Sequence, residues 1–162
     1  MTIKVGDRLP ESTFMVMGPE GPKSMTTGEV FGGKKVALFA VPGAYTPTCH
    51  KQHMPGFVAN FPEFKRKGID MIACTAVNDI FVLTRWSKDL GAEGKITMLA
   101  DGSAEFAKKI GLVVDLTTRG LGMRSQRYSM IVNDGVVKVL NVEDAPPQHD
   151  KSSATALLAC NF

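Results

Sequence analysis

Of the three cysteines, at positions 49, 74 and 160, only Cys49 has neighbours that suit reactivity. It follows Val41-Pro42-Gly43-Ala44-Tyr45-Thr46-Pro47-Thr48, a loop with two prolines that joins an apolar run to a helical pattern. Unpaired backbone N–H groups and the positive end of a helix dipole favour an anion there, so the thiol is expected to lean toward thiolate, the nucleophilic form. Pro42 and Pro47 restrict the loop, and Thr46, three residues before the cysteine, can turn its hydroxyl toward the sulfur. A free cysteine is more often a small buried hydrophobe. The flanking prolines and the strand-to-helix placement favour reactivity at Cys49. The plainer reading holds for Cys74, which alternates with Ile72 and Ala76, and for Cys160, which shares a helical face with Leu157.

Other chemistries are less well supplied. His53 stands four residues after Cys49, as a Cys-His hydrolase would need, but no third orienting group is apparent. Cys49, His50, His53 and Cys74 do not make a metal site, because the two histidines point to different helical faces and the cysteines lack close pairing. Thr46 and Gln52 occupy the positions three before and three after Cys49, which excludes a C-x-x-C dithiol. Gly120-Leu121-Gly122 is too short for a dinucleotide loop and reads as ordinary loop glycine. No metal and no cofactor are expected.

The elements that must hold the cysteine can be read from periodicity. Lys35 to Val41 is a buried strand bounded by Gly33 and Pro42-Gly43. Phe57, Phe61 and Phe64 recur at helical spacing, so a helix is expected from Pro55 to Lys67, ending at Gly68. Met71 to Val77 and Ile96 to Leu99 read as strands, and Ile80 to Leu90 and Ala104 to Ile110 as helices. Tyr128 to Val132, the turn Asn133-Asp134-Gly135 and Val136 to Leu140 form a hairpin, since Asp-Gly supplies the positive φ of tight turns. Ala154, Leu157 and Leu158 mark a last short helix. The order implies an α/β fold with a mixed central β-sheet flanked by helices, in a single domain over residues 1–162.

Composition agrees, with 44% hydrophobic and 22% charged residues. The net charge of +3 is too small for a nucleic-acid footprint, and Lys65-Arg66-Lys67 reads as a solvated last helical turn. No stretch has membrane-spanning length, and Met1 to Asp7 shows neither a signal-peptide core nor an Arg-rich leader, so no membrane partner and a cytoplasmic location are expected. The odd cysteine count suits free thiols.

Pro42, Thr46 and Cys49 match the Pro-x-x-x-Thr-x-x-Cys pattern of peroxiredoxins. The run from Val41 to Cys49, followed by His53-Met54-Pro55-Gly56-Phe57, resembles the type II or five-type subgroup. Ala73 to Asp79, Arg127-Tyr128-Ser129-Met130, Asp134 to Val137 and Leu140-Asn141-Val142-Glu143 extend the resemblance over nearly the whole chain. It implies a thioredoxin-like fold and a thiol peroxidase acting on hydrogen peroxide or small alkyl hydroperoxides. Cys49 would attack the peroxide and become a sulfenic acid, Thr46 would hydrogen-bond thiolate and peroxide, and Pro42 would shield the sulfenate. Arg127 would hold the thiolate ionised. On sequence alone it is a strand-flanking surface arginine, and only the family position selects it over Arg119 and Arg124. A homodimer is implied, with glutathione and glutaredoxin, or thioredoxin, as reductant. Cys74 matches a position proposed to resolve the sulfenate in some plant members, yet an external thiol is the expected resolver. A peroxide sensor using the same cysteine is the alternative, and turnover separates the two.

Overall fold

The computed structural model describes residues 1–162. A seven-stranded sheet runs in the order β2-β1-β5-β4-β3-β8-β9, from β1 (Thr13–Gly18), β2 (Gly21–Thr26), β3 (Lys35–Val41), β4 (Met71–Ala76), β5 (Ile96–Ala100), β8 (Tyr128–Asn133) and β9 (Val136–Val142). β3, β4 and β5 are parallel, while β8 runs antiparallel to β3 and β9 antiparallel to β8. β6 (Val113–Leu116) and β7 (Gly122–Ser125) make a separate ribbon, so Gly122 begins a strand where loop glycine was expected.

β3 owes its central place to having no polar residue after Lys35. Val36 to Val41 are all wholly buried, with Ala37, Phe39 and Val41 facing one core and Val36, Leu38 and Ala40 the other. Parallel strands covered on both faces need such uninterrupted apolar runs. The first core packs under α2 (Met54–Ala59), α3 (Phe61–Arg66), α4 (Ile80–Asp89) and α6 (Ala154–Leu158) through Phe57, Phe64, Trp86 and Leu157. The second lies under α1 (Thr27–Phe31) and α5 (Glu105–Lys109) through Phe31 and Phe106. Thr26 and Glu29 close a capping box at the start of α1, at 3.2 and 2.8 Å.

The helix expected over Pro55 to Lys67 is two helices. Pro62 cannot donate to a carbonyl four residues earlier, and Asn60, at φ −95° and ψ 10°, turns the chain between α2 and α3. The β8–β9 turn follows the Asp-Gly signal, with φ of 49° at Asp134 and 80° at Gly135.

The antiparallel pairing fixes what meets at the end of β3. Tyr128 pairs with both Ala40 and Val142, so the residue before β8, Arg127, lies beside the exit of β3 and the end of β9. Glu143 N–H donates to Arg127 O at 3.0 Å and continues that ladder.

Candidate active site

Cys49 lies in the first turn of the helical segment that leaves the β3 loop and is wholly buried. His50 N–H bonds to Thr46 O at 2.9 Å, but Met54 N–H reaches back five residues to Cys49 O. The turn from Cys49 to His53 is therefore a π-helical turn, a local widening that is concentrated at functional sites.

Arg127 is only 3% exposed and spends its guanidinium in three directions. Nη2 donates to Cys49 Sγ at 3.1 Å, Nη1 to His53 Nδ1 at 3.0 Å and Nε to Pro146 O at 2.9 Å. No carboxylate pairs with it, since every ion pair of the chain lies elsewhere on the surface. A buried cation is costly unless compensated, and among these partners only the sulfur can carry the balancing negative charge.

His53 is fully buried against the rings of Phe39 and Phe57. Its Nε2 lies 2.9 Å from Ser152 O, a pure acceptor, so Nε2 holds the proton and Nδ1 offers its lone pair to Arg127. Burial first and the Arg127 charge second push its pKa down to about 3, so the ring is neutral at any working pH. His53 therefore orients the arginine and does not face the sulfur as a base would. His50 turns elsewhere, accepting from Trp86 Nε1 at 3.1 Å and stacking on Tyr45. Tyr45 has a left-handed backbone, φ 64°, and its hydroxyl donates to Asp89 at 2.6 Å.

Pro42, Thr46 and Arg127 line one cleft of about 260 Å³, together with Leu116, Arg119 and Pro146. Thr46 departs from expectation. Its hydroxyl donates to Gly43 O at 2.7 Å, closing the tight turn in front of the cysteine, and so does not point its proton at the sulfur. Its oxygen lone pairs remain free to accept. Arg124, one of the arginines confusable with Arg127, donates to Pro42 O at 3.2 Å and Leu121 O at 2.8 Å, bracing the loop from outside. Gly43 makes room for it, because a Cβ there would stand 2.7 Å from Arg124 Nη1.

Cys74 is wholly buried in β4, paired with Phe39 and Met98, and burial first, with Cys49 nearby second, pushes its thiol pKa up. Cys160 Sγ lies 3.5 Å from Ala156 O and 3.8 Å from Asn141 Nδ2, at the end of α6. Residues that sequence reasoning did not assign to the site are Pro146, Ser152 and Glu143, all in or beside the loop after β9. The Pro146-Pro147 pair was the visible signal that this loop is rigid.

A thioredoxin-like α/β fold with a thiol buried in the helical turn that follows its central strand has well-defined relatives. The Redoxin family matches residues 4–158. The chain is 47% identical over 162 residues to the chloroplastic peroxiredoxin-2E of Arabidopsis thaliana, covering 98% of this chain and 69% of that one. It is 46% identical to the chloroplastic peroxiredoxin-2E-2 of Oryza sativa subsp. japonica, covering 88% of this chain and 66% of the relative. The crystal structure of reduced Prx3 in complex with H2O2 from Vibrio vulnificus superposes with a TM-score of 0.93 at 47% identity, over 98% of both chains. The chain belongs to the type II peroxiredoxins, thiol-dependent peroxidases of the thioredoxin-like superfamily.

Proposed function

We propose that Cys49 is the peroxidatic nucleophile of a peroxidase for hydrogen peroxide and small alkyl hydroperoxides, serving antioxidant defence. The observation that carries this reading is the 3.1 Å contact from the Arg127 guanidinium to Cys49 Sγ, in a site where no carboxylate forms an ion pair with the cation. A thiolate there attacks the terminal peroxide oxygen, forming an S–O bond as the O–O bond breaks. The sulfur is oxidised to a sulfenic acid, and the leaving oxygen takes a proton to depart as water or an alcohol. Guanidinium N–H groups stabilise charge developing along that line. Thr46, its own proton engaged with Gly43 O, accepts from the peroxide hydroxyl and aligns it. Pro42, on the cleft wall, keeps bulk water off the sulfenate. The Vibrio protein's complex with H2O2 supports a peroxide as substrate.

The sulfenic acid is recycled by an external thiol. Cys74 would have to leave a mid-sheet position to reach it, and Cys160 is engaged at the end of α6. Glutathione condenses with the sulfenic acid, releasing water, and a second thiol, from glutaredoxin or in a thioredoxin-driven variant, opens the mixed disulfide. The chain acts as a cytoplasmic homodimer. Support for pairing is the exposed apolar set of Met15, Phe81 and Tyr45, with Phe81 65% exposed. Sedimentation of the wild type and of Phe81→Glu tests it, with a dimer expected for the first and weaker association for the second. The chemistry is tested by intact and peptide mass spectrometry after one equivalent of peroxide. One added oxygen on Cys49, replaced by a glutathione adduct when glutathione is present, is expected; an abundant disulfide from Cys49 to Cys74 or Cys160 would overturn the external-thiol cycle.

A further inference from the structure

Glu143 is the one buried carboxylate near the site, 6% exposed, and no cation pairs with it. Lys151, whose backbone N–H bonds to this carboxylate, sends its ammonium to Asp144 at 2.8 Å. Glu143 instead collects three donors from one stretch of loop. Oε2 accepts from Ser152 N–H and from Ser152 Oγ–H, each at 2.6 Å, and Oε1 accepts from Lys151 N–H at 3.2 Å. The loop pinned in this way presents two carbonyls inward. Ser152 O takes the proton of His53 Nε2, and Pro146 O takes the proton of Arg127 Nε. Glu143 N–H also holds Arg127 O at 3.0 Å.

Resting on the assignment of Cys49 as the nucleophile, we propose that Glu143 is a positioning residue that aims the Arg127 guanidinium at the Cys49 sulfur. It acts through the 143–152 loop. Without the carboxylate, both Ser152 donors lose their shared acceptor and the loop loses its anchor. The carbonyl that fixes the His53 tautomer then drifts, and so does the carbonyl on Arg127 Nε. Two of the three contacts that hold the guanidinium flat depend on this one side chain. A partly misdirected guanidinium stabilises the thiolate less and meets the peroxide less well, even though Glu143 touches neither. The titratable or charged groups facing Arg127 and its partners are Cys49 and His53 on the helical segment, Cys74 on β4, Arg119 across the cleft, Glu143 and Asp144 after β9, and His149 on the loop, whose ring lies 5.5 Å from that of His53.

The test measures alkylation of Cys49 against pH, by peptide mass spectrometry on the full chain, with the rate of Cys49 oxidation by hydrogen peroxide alongside. In Glu143→Ala the alkylation profile should move to higher pH and oxidation should slow roughly tenfold to a hundredfold, the scale set by small misplacements of reacting groups. Glu143→Gln, which keeps one oxygen for the two Ser152 donors, should recover most of the loss. In an Arg127→Ala background, Glu143→Ala should add nothing, because its effect travels through the arginine. Unmoved profiles, or full additivity with Arg127→Ala, would overturn the proposal. If Glu143→Ala does not fold, Ser152→Ala decides: removing the hydroxyl donor alone should shift the profile in the same direction, and an unmoved profile overturns. Wild-type turnover is measured separately, so an absence of peroxidase activity would count against the proposed function while the alkylation profiles still judge Glu143.

Discussion

Arg127 Nη2 lies 3.1 Å from Cys49 Sγ across 78 residues of chain. The contact exists because β8 starts where β3 ends, in antiparallel register. The fork geometry matters as much as the charge, since separate nitrogens reach sulfur, imidazole and carbonyl at once. Arg127→Lys would keep the charge and lose two of those contacts. Oxidation of Cys49 should slow by on the order of a hundredfold, as for loss of one oriented donor. Stopped-flow measurement with hydrogen peroxide checks it, and an unchanged rate constant would remove Arg127 from the reaction.

His53 gives the fold a pH dependence. Its pKa falls from 6.5 when unfolded to about 3 when folded. Between those values the unfolded chain binds the extra proton, so stability declines as pH drops below 6.5 and levels off near 3. The slope from this one group is at most about 1.4 kcal/mol per pH unit. His53→Gln keeps a hydrogen-bonding side chain and removes the titration. Denaturant unfolding at pH 7 and at steps down to 4.5 should show a flatter stability curve for the variant, and parallel curves would refute the assignment.

The loop before Cys49 depends on Gly43 for space rather than for conformation. A methyl group there meets the tip of Arg124 at 2.7 Å, and a flexible tip can move aside. Gly43→Ala should therefore fold with a stability change within about 1 kcal/mol. It should still slow Cys49 oxidation several-fold, because the displaced Arg124 releases Pro42 O. Arg124→Ala should slow it similarly, and the double variant should be no worse than either alone; additive losses would contradict the shared cause.

Much of this arrangement is written in the chain. β3 was legible because its apolar run is unbroken, and the β8–β9 hairpin because Asp134-Gly135 can turn only one way cheaply. β1 and β2 were not, since an edge hairpin buries little beyond Phe14 and Val16 and carries Gly, Pro, Lys and Ser. The β6–β7 ribbon escaped for the same reason, with only Leu116 and Ser125 buried. Cys49 announced itself by its prolines and its place after a strand. Arg127 did not; its choice over Arg119 and Arg124 came from resemblance, and its burial follows from sheet register that no local pattern encodes. The links from Ser152 N–H to the Glu143 carboxylate, and from Ser152 O to the His53 ring across 99 residues, each use a backbone group of Ser152. Every residue has these groups, so such links leave no signature in side-chain types. The π-helical turn at Cys49 has none either.

If Cys49 alone carries turnover, peroxide consumption under multiple-turnover conditions depends on that one thiol. Purified wild type, Cys49→Ser and Cys74→Ser are each given hydrogen peroxide with glutathione and glutaredoxin, and in parallel with a thioredoxin system. The wild type should consume many equivalents of peroxide per chain with at least one reductant, Cys74→Ser should retain that activity, and Cys49→Ser should consume none above the reductant background. Undiminished turnover by Cys49→Ser would contradict the account, and a wild type that consumes a single equivalent and stops would make the same cysteine a sensor.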